Sequence, residues 1–422
     1  MLTADAVPGV LSVPWGAWRH DSYRSFEFPA DWELLPLMMP PWAALADQQI
    51  AAALDRPIGA PPLGELAASA GKAAIAIDDI TRPTPAAAVV GAIIGRLTAA
   101  GMREDRITIV VASGAHRQAT AWDIEQKIGP ALSGRLRVVC HDPAAPLAET
   151  NVTLAGVPVR INREFHQADL RIGISAVMPH PFAAFSGGGK IVVPGLADLE
   201  VLTRTHKYAL MGLSGGHELA NNRFRRDMEA AVGSIGLHWT ANVVVNAERR
   251  IAHVAAGHFV SAHRAAAAAA AELGRTAPPG QLLDALLLNA YPKDGELLQI
   301  EAALVALRSG MLQWLTPAAP IVLMASCVEG VGTHGLFGRG GRLFRTPAAK
   351  GFLAGHTLLI YSPGVDEAAV RSVFWNGYPF HTSWTGVLHE LASLLPAAPR
   401  IGVVPCGPLQ IAERTPASEG TN

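Results

Sequence analysis

Three segments of the chain set titratable side chains at the end of an apolar run. Asp78 and Asp79, with Thr81 and Arg82 close behind, follow Ala73 to Ile77; His116 and Arg117 follow Ile107 to Ala112; His180 follows Leu170 to Val177. Each alone has an ordinary explanation: a helix N-cap for Asp79, a surface pair for Arg82, a backbone-bonded loop residue for each histidine. Ligands of open α/β sheets bind beyond the carboxyl ends of the strands, where the loops converge. Polar clusters at three equivalent strand ends therefore read as one site.

The most distinctive segment runs His180-Pro181-Phe182-Ala183-Ala184-Phe185-Ser186-Gly187-Gly188-Gly189-Lys190 and closes at Thr203-Arg204-Thr205-His206-Lys207. Successive glycines let backbone N–H groups approach an anion closely, and a lysine behind them suits a phosphate or carbonyl. This is not a Walker A loop, because Ala184 and Ile191 stand where that motif needs a glycine and a Ser or Thr. No GxGxxG follows an early strand. No HExxH and no Cys/His cluster accompanies His206, which argues against a closed structural zinc site and against a metal-assisted hydrolase. A single imidazole can still be one ligand where a cofactor brings the rest, and it suits nickel, copper, iron or zinc alike.

The elements that must carry these residues alternate along the chain. Beyond the runs already named, strands are expected near Leu136 to Cys140, Val243 to Asn246, Ile251 to Ala255, Asp284 to Leu288, Ile321 to Ala325, Leu358 to Tyr361 and Ile401 to Val404. Helices are expected from Pro85 to Ala100, Trp122 to Ile128, Arg264 to Gly274, Glu296 to Leu307 and Thr382 to Leu395. Pro85 suits a first turn and Gly101 a stop, and seven consecutive alanines make Arg264 to Gly274 a strong helix former. Alternation in both halves predicts an α/β protein of two α/β domains with mainly parallel sheets and an active-site cleft between them. The run Thr276-Ala277-Pro278-Pro279-Gly280 is the expected boundary, separating a domain of residues 1–275 from one of residues 282–412, with 413–422 as a flexible tail.

Composition narrows the function classes. The 422 residues are half hydrophobic and only 16% charged, against roughly 25% in an average soluble protein, which excludes a disordered chain. Lys plus Arg number 34 and Asp plus Glu 35, for a formal net charge of −1, and no basic block is interleaved with aromatics. No nucleic acid or anionic membrane partner is expected. The mean hydropathy of +0.24 raises the question of a membrane span. The longest uncharged stretch, Ser309 to Val328, contains Pro317 and Pro320 and reads as a helix end followed by a buried strand. The N-terminus lacks a basic region followed by an apolar core, so a cytoplasmic location is expected. Cys140, Cys327 and Cys406 are too scattered for a CxxC or a disulfide framework and read as small buried residues, and His141 and His166 read as structural.

On these residues the chain resembles the nickel-pincer-nucleotide lactate racemases and their relatives among the 2-hydroxyacid racemases and epimerases. The resemblance rests on Asp78-Asp79-Ile80-Thr81-Arg82-Pro83, on Gly114-Ala115-His116-Arg117 and on the block from His180 through Lys190 to His206. Val13-Pro14-Trp15-Gly16, Glu329-Gly330-Val331-Gly332 and Val404-Pro405-Cys406-Gly407-Pro408 extend it over most of the chain. It implies an isomerase that moves a hydride from C2 of a 2-hydroxyacid to a pyridinium nucleotide, whose two sulfur arms and ring carbon grip nickel. In the family, the lysine matching Lys190 tethers this cofactor and the histidine matching His206 is the fourth nickel ligand. Thr81, Ser186, Gly187, Gly188 and Gly189 would surround the nucleotide and its phosphate. The histidines matching His116 and His180 are the acid/base pair, one on each face of the substrate, and imidazole permits both roles at neutral pH. Arg82 would clamp or polarise the substrate oxygens, Asp79 would orient it or a histidine, and Tyr291, Gln299 and Trp384 would line the substrate pocket.

The resemblance also implies partners and departures. The partners are the small 2-hydroxyacid and the enzymes that make the cofactor, with a homo-oligomer left open. Ala184 stands where the family loop usually has glycine, a change expected only to stiffen the turn. Ala302 stands where lactate racemases carry a lysine, three residues after the glutamine matching Gln299. Loss of that charge points to malate, an aldonate such as gluconate, or another 2-hydroxyacid in place of lactate, with Arg204, Lys207 or Lys293 as replacements. The alternative from another class is a non-catalytic carrier of a nucleotide or of the nickel cofactor.

Overall fold

The computed structural model of the chain describes residues 9–210, 218–353 and 355–413. Most of the expected tail, from residue 414 onward, lies outside them. The chain forms two compact units, one of residues 42–270 with 334–343 and the other of residues 1–41, 271–333 and 344–422.

The first unit is built on a six-stranded sheet in the order Ile251–Gly257, Trp239–Val245, Leu170–Ala176, Ala73–Asp78, Ile107–Ala112, Arg137–Cys140. All neighbours are parallel except the pair Trp239–Val245 and Ile251–Gly257. The strand Ala73–Asp78 is buried at every residue, as a parallel strand covered on both faces must be. From it the chain steps outward through Ile107–Ala112 to Arg137–Cys140, then returns to its other side with Leu170–Ala176. That reversal opens a crevice at the carboxyl ends of the central strands. Asp79, Arg82, His116 and His180 leave the sheet there.

The second unit holds another six-stranded sheet, entirely parallel, in the order Phe380–His381, Leu358–Tyr361, Ile321–Met324, Ala285–Asn289, Arg400–Val404, Glu33–Pro36. Its last strand revises the expected boundary. Because Glu33–Pro36 pairs residue by residue with Arg400 to Val403, the described residues before Trp42 belong with the C-terminal sheet, and residues 334–343 belong with the first unit. The passage between units near residue 271 lies close to the proline-rich boundary read from sequence.

The expected helix Glu296 to Leu307 is a 3₁₀ run over Leu297–Leu304 followed by one α-turn at Val305–Arg308. In a 3₁₀ run residues i and i+3 eclipse, so Ala302 stacks over Gln299. The uncharged stretch after Ser309 contains the short turn Met311–Trp314 and the strand Ile321–Met324. No helix among the described residues is long and apolar enough to cross a membrane.

Candidate active site

Asp79 gathers the first cluster. Its Oδ2 lies 2.5 Å from His116 Nδ1, and its Oδ1 accepts from Thr81 N at 3.0 Å and from Thr81 Oγ1 at 2.6 Å. An ionised carboxylate has no proton to give, so in the neutral ring the imidazole proton sits on Nδ1 and Nε2 of His116 presents a lone pair. Burial pushes the Asp79 pKa up, but His116, Arg82 and Thr81 outweigh it and hold the carboxyl well below the usual carboxylate range. Arg82 Nη1 donates to Thr81 Oγ1 at 2.7 Å, which ties the guanidinium to the same cluster. Thr81, expected at the nucleotide, is thus a link between Asp79, Arg82 and His116.

His180 begins a small hairpin in which Pro179–His180 pairs with Ala184–Phe185. Its Nδ1 accepts from Phe182 N at 3.4 Å and Ala183 N at 3.3 Å, so the imidazole proton is on Nε2. His116 and His180 therefore hold opposite tautomers, a lone pair on one Nε2 and a proton on the other. Ala184, in the same hairpin, has φ +60°. The side chain does more than stiffen the turn: it holds an L-residue in the left-handed region, which costs roughly 1–2 kcal/mol relative to glycine.

The glycine loop answers to packing. A Cβ on Gly187 would meet Val177 Cγ2 at 2.6 Å, one on Gly188 would meet His263 Cβ at 2.9 Å, and one on Gly189 would meet Met228 Sδ at 2.9 Å. Gly188 N donates to Asn242 Oδ1 at 2.9 Å, and Ser186 Oγ donates to Ala176 O at 2.8 Å while accepting from Met178 N at 3.1 Å. Arg225, fully buried, donates to Ala183 O at 3.2 Å and Gly187 O at 3.4 Å, and also to Phe185 O. The donors of Ser186 and Gly188 are thus taken up inside the protein. Lys190 follows in the same short turn, Gly188–Ile191.

Lys190 Nζ stands 5.1 Å from the Phe182 ring centroid and 5.2 Å from that of Phe224. The His206 ring meets the same Phe182 at 5.4 Å. His206 lies on the helix Leu199–Leu210, and its Nδ1 donates to Leu202 O, one turn back, at 2.7 Å. Burial pushes the His206 imidazole down to about 3, with Lys190, His116 and Arg82 adding to it and the bond to Leu202 opposing it. A neutral imidazole with one nitrogen fixed on a carbonyl is the form that ligates a metal through the other. Among the described residues no group of three or more His, Cys, Asp or Glu could hold a metal ion. The donor set thus fits a metal whose remaining ligands arrive with a bound group beside Lys190.

Sequence reasoning passed over His334. Its ring centroid is 5.1 Å from that of His116 and 6.1 Å from that of His206. The rings of His180 and Phe182, 4.4 Å apart, continue the series from His206 through Phe182. Burial, then His116 and His206, push the His334 imidazole well down. A histidine just after Glu329-Gly330-Val331-Gly332 was the available signal, but only the return of residues 334–343 to the first unit puts it in the site.

Tyr291, Gln299 and Trp384 belong to the other unit. Tyr291 is buried, with its hydroxyl donating to Asp21 Oδ1 at 3.2 Å. Lys293 Nζ donates to Gln299 Oε1 at 2.8 Å, whereas Arg204 pairs with Glu200 at 3.3 Å. Lys293 therefore puts a positive charge beside the glutamine that Ala302 stacks over. The Trp384 ring packs against Phe26 and Phe28 at 4.7 and 5.2 Å, and its N–H donates to Glu27 O at 2.7 Å. Its ring and its donor are both engaged in the core of that unit. His141 is buried as a structural residue, its Nε2 bonded to Ala197 O at 3.0 Å.

Comparison with known proteins bears on this arrangement. Residues 20–215 match the model of the lactate racemase N-terminal domain. A lactate racemase of Thermoanaerobacterium thermosaccharolyticum is 28% identical over 296 residues, covering 68% of this chain and 67% of that protein. One from Lactiplantibacillus plantarum is 27% identical over 299 residues, 69% of each. Among solved structures, the lactate racemase apoprotein from Thermoanaerobacterium thermosaccharolyticum superposes with a TM-score of 0.75 at 22% identity, over 96% of this chain and 100% of that one. A Thermotoga maritima protein does so with a TM-score of 0.65 at 18% identity, over 89% and 100%. The two structures share the fold.

Proposed function

We propose that the chain, whose residues 20–215 match the lactate racemase N-terminal domain, is a member of the lactate racemase family and inverts the C2 centre of a 2-hydroxyacid with a nickel-pincer nucleotide, Lys190 carrying the tether and His206 Nε2 a metal ligand. When bound, that group supplies an acceptor for the C2 hydride and can return it to either face of the planar 2-keto acid. The chain's own residues handle the proton and the charge.

The observation that carries the reading is the contrast between the Nδ1 partners of His116 and His180, a carboxylate on one and backbone N–H groups on the other, which sets opposite tautomers in the neutral rings. With Asp79 on Nδ1, His116 is ready to accept the hydroxyl proton at Nε2, and the carboxylate stabilises the imidazolium that results. His180 starts with the proton on Nε2, suited to hydrogen-bond the C2 oxygen when it is a carbonyl. To act as base for the other enantiomer it must carry its proton on Nδ1, giving up two long backbone contacts of 3.4 and 3.3 Å. Arg82 neutralises the carboxylate.

Substrate choice is assigned to Lys293 and Gln299. An ammonium must meet the amide oxygen, so the bond from Lys293 Nζ leaves the Gln299 amide NH₂ as a second donor beside the charge. Donors grouped in this way suit the distal oxygens of malate or an aldonate better than the methyl of lactate.

The test is to produce the chain together with the cofactor-making enzymes, then measure bound nickel, the mass of the Lys190 peptide and inversion of lactate, malate and gluconate. The expected result is stoichiometric nickel, a nucleotide-sized adduct on that peptide and inversion of a 2-hydroxyacid. His116→Ala should keep nickel and lose turnover. Absence of both nickel and adduct would overturn the tether, and a protein indifferent to His116 would be a carrier.

A further inference from the structure

Four imidazoles line the site, and each has its Nδ1 engaged by the protein. On His116 and His206 that nitrogen donates, to Asp79 and to Leu202 O, so both Nε2 atoms are lone pairs. On His334 it accepts, from Leu336 N at 3.2 Å and Phe337 N at 3.4 Å, which puts the proton on Nε2. The ring is held firmly. Gly335 N donates to Ala115 O at 2.6 Å, Gly338 N to His334 O at 2.8 Å, and the Phe337 ring packs at 4.9 Å. Leu336 is fully buried in a cluster with Ala115, Leu202 and Leu343, which anchors the segment beside the helix of His206. The His334 side chain itself remains partly exposed.

A carboxylate only accepts hydrogen bonds, so lone pairs on His116 and His206 cannot meet it; the donors around His116 must. Arg82 is one, and His334, its ring 5.1 Å from that of His116, is another. We propose that His334 is a substrate-binding residue, its Nε2–H donating to a carboxylate oxygen of the 2-hydroxyacid beside the hydroxyl that His116 deprotonates. This rests on the racemase reading above, which assigned His334 no role.

The test uses protein labelled with ¹⁵N-histidine, as isolated and after loading with cofactor, titrated with D- and L-lactate, L-malate and pyruvate. In the wild type the His334 Nε2–H resonance shifts on addition of a bound probe. His334→Phe keeps a ring against Phe337 and loses the donor. It should bind the probe roughly 10- to 100-fold more weakly, the value of one hydrogen bond to a charged group, with the His116 Nδ1 resonance unmoved. His334→Gln, whose amide N–H reaches toward the same place, should recover most of the affinity. In the loaded enzyme KM rises more than kcat falls. Unchanged affinity in His334→Phe, or a silent His334 resonance in a wild type that binds, overturns the proposal and leaves the racemase reading intact. A wild type that binds none of the probes overturns that reading and this one together. Should His334→Phe fail to fold, the wild-type titration and His334→Gln decide.

Discussion

Asp78 and Asp79 are neighbours in sequence that serve separate partners: Asp78 Oδ1 holds the buried Lys127 ammonium at 2.6 Å, and Asp79 Oδ2 holds the His116 imidazole at 2.5 Å. The first carboxylate serves the frame and the second the chemistry. Asp79→Asn keeps the shape and removes the charge that fixes the His116 proton on Nδ1. Turnover should fall roughly 100-fold or more, within the range expected for an impaired general base, while the melting temperature changes little. Steady-state kinetics and a thermal melt check both, and turnover within twofold of wild type would remove Asp79 from the mechanism.

Lys127 yields the complementary outcome. Its Nζ also donates to Arg82 O at 3.1 Å and Thr84 O at 3.2 Å, pinning the loop that carries Arg82. Burial pushes the Lys127 pKa down against the pull of Asp78, so the pair is sensitive to loss of either member. Lys127→Met leaves a buried carboxylate without its cation and should cost about 3–5 kcal/mol in urea unfolding. Pairing it with Asp78→Asn should restore part of that loss. If Lys127→Met unfolds like the wild type, the pair does not hold the loop.

Gly188 sets the packing reading of the glycine loop against the anion-cradle reading. Its φ is +61° and a Cβ there would meet His263 Cβ and Cγ at 2.9 Å each. Gly330 has a similar φ of +69° with nothing within 4 Å of a Cβ. Gly330→Ala should therefore cost only the left-handed backbone penalty, about 1–2 kcal/mol, and Gly188→Ala distinctly more. Equal destabilisation of the two in chemical unfolding would show that the clash with His263 is relieved by a shift.

Much of the frame was legible because its signals are local. The apolar runs ending in Asp78, Ala112 and Ala176 are strands whose carboxyl ends meet, as alternation and the crevice rule require. What was not legible is set by distant contacts. Glu33–Pro36 is four residues long and reveals its place only by pairing with Arg400 to Val403. Gly188 looks like an anion binder until Asn242 is seen to accept its N–H. His334 is separated by more than two hundred residues of sequence from His116, and its role depends on a ring contact of 5.1 Å. Residue types identified candidate chemistry; which donor is already engaged is a tertiary fact.

Acid should weaken the fold through its buried histidines, and His141 isolates one share. Burial pushes His141 down to about 4 from 6.5. Between those values the unfolded chain takes up a proton that the folded chain does not. Stability therefore rises with pH across that window, and is lost as pH falls from 6.5 toward 4. His141→Gln retains a donor for Ala197 O without titrating. Between pH 7 and pH 5 it should lose about 2 kcal/mol less unfolding free energy than the wild type. Parallel pH profiles for the two proteins would mean that the unfolded state does not protonate this residue differently.

Which acid is inverted turns on where a single positive charge enters. Ala302 stacks one 3₁₀ turn beyond Gln299 and brings no charge, and the neighbouring Glu301 holds Lys350 at 2.5 Å. Lys293 reaches Gln299 from the turn before the helix instead, at 2.8 Å. Lys293→Met should raise KM for malate roughly tenfold or more, the value of a charge-assisted hydrogen bond, and leave lactate less affected. Adding Ala302→Lys moves the charge from the turn to the helix, so the ratio of kcat/KM for lactate over malate should rise above that of Lys293→Met alone. If Lys293→Met changes both acids equally, the charge supports the fold around Tyr291 and Asp294 and does not select the substrate.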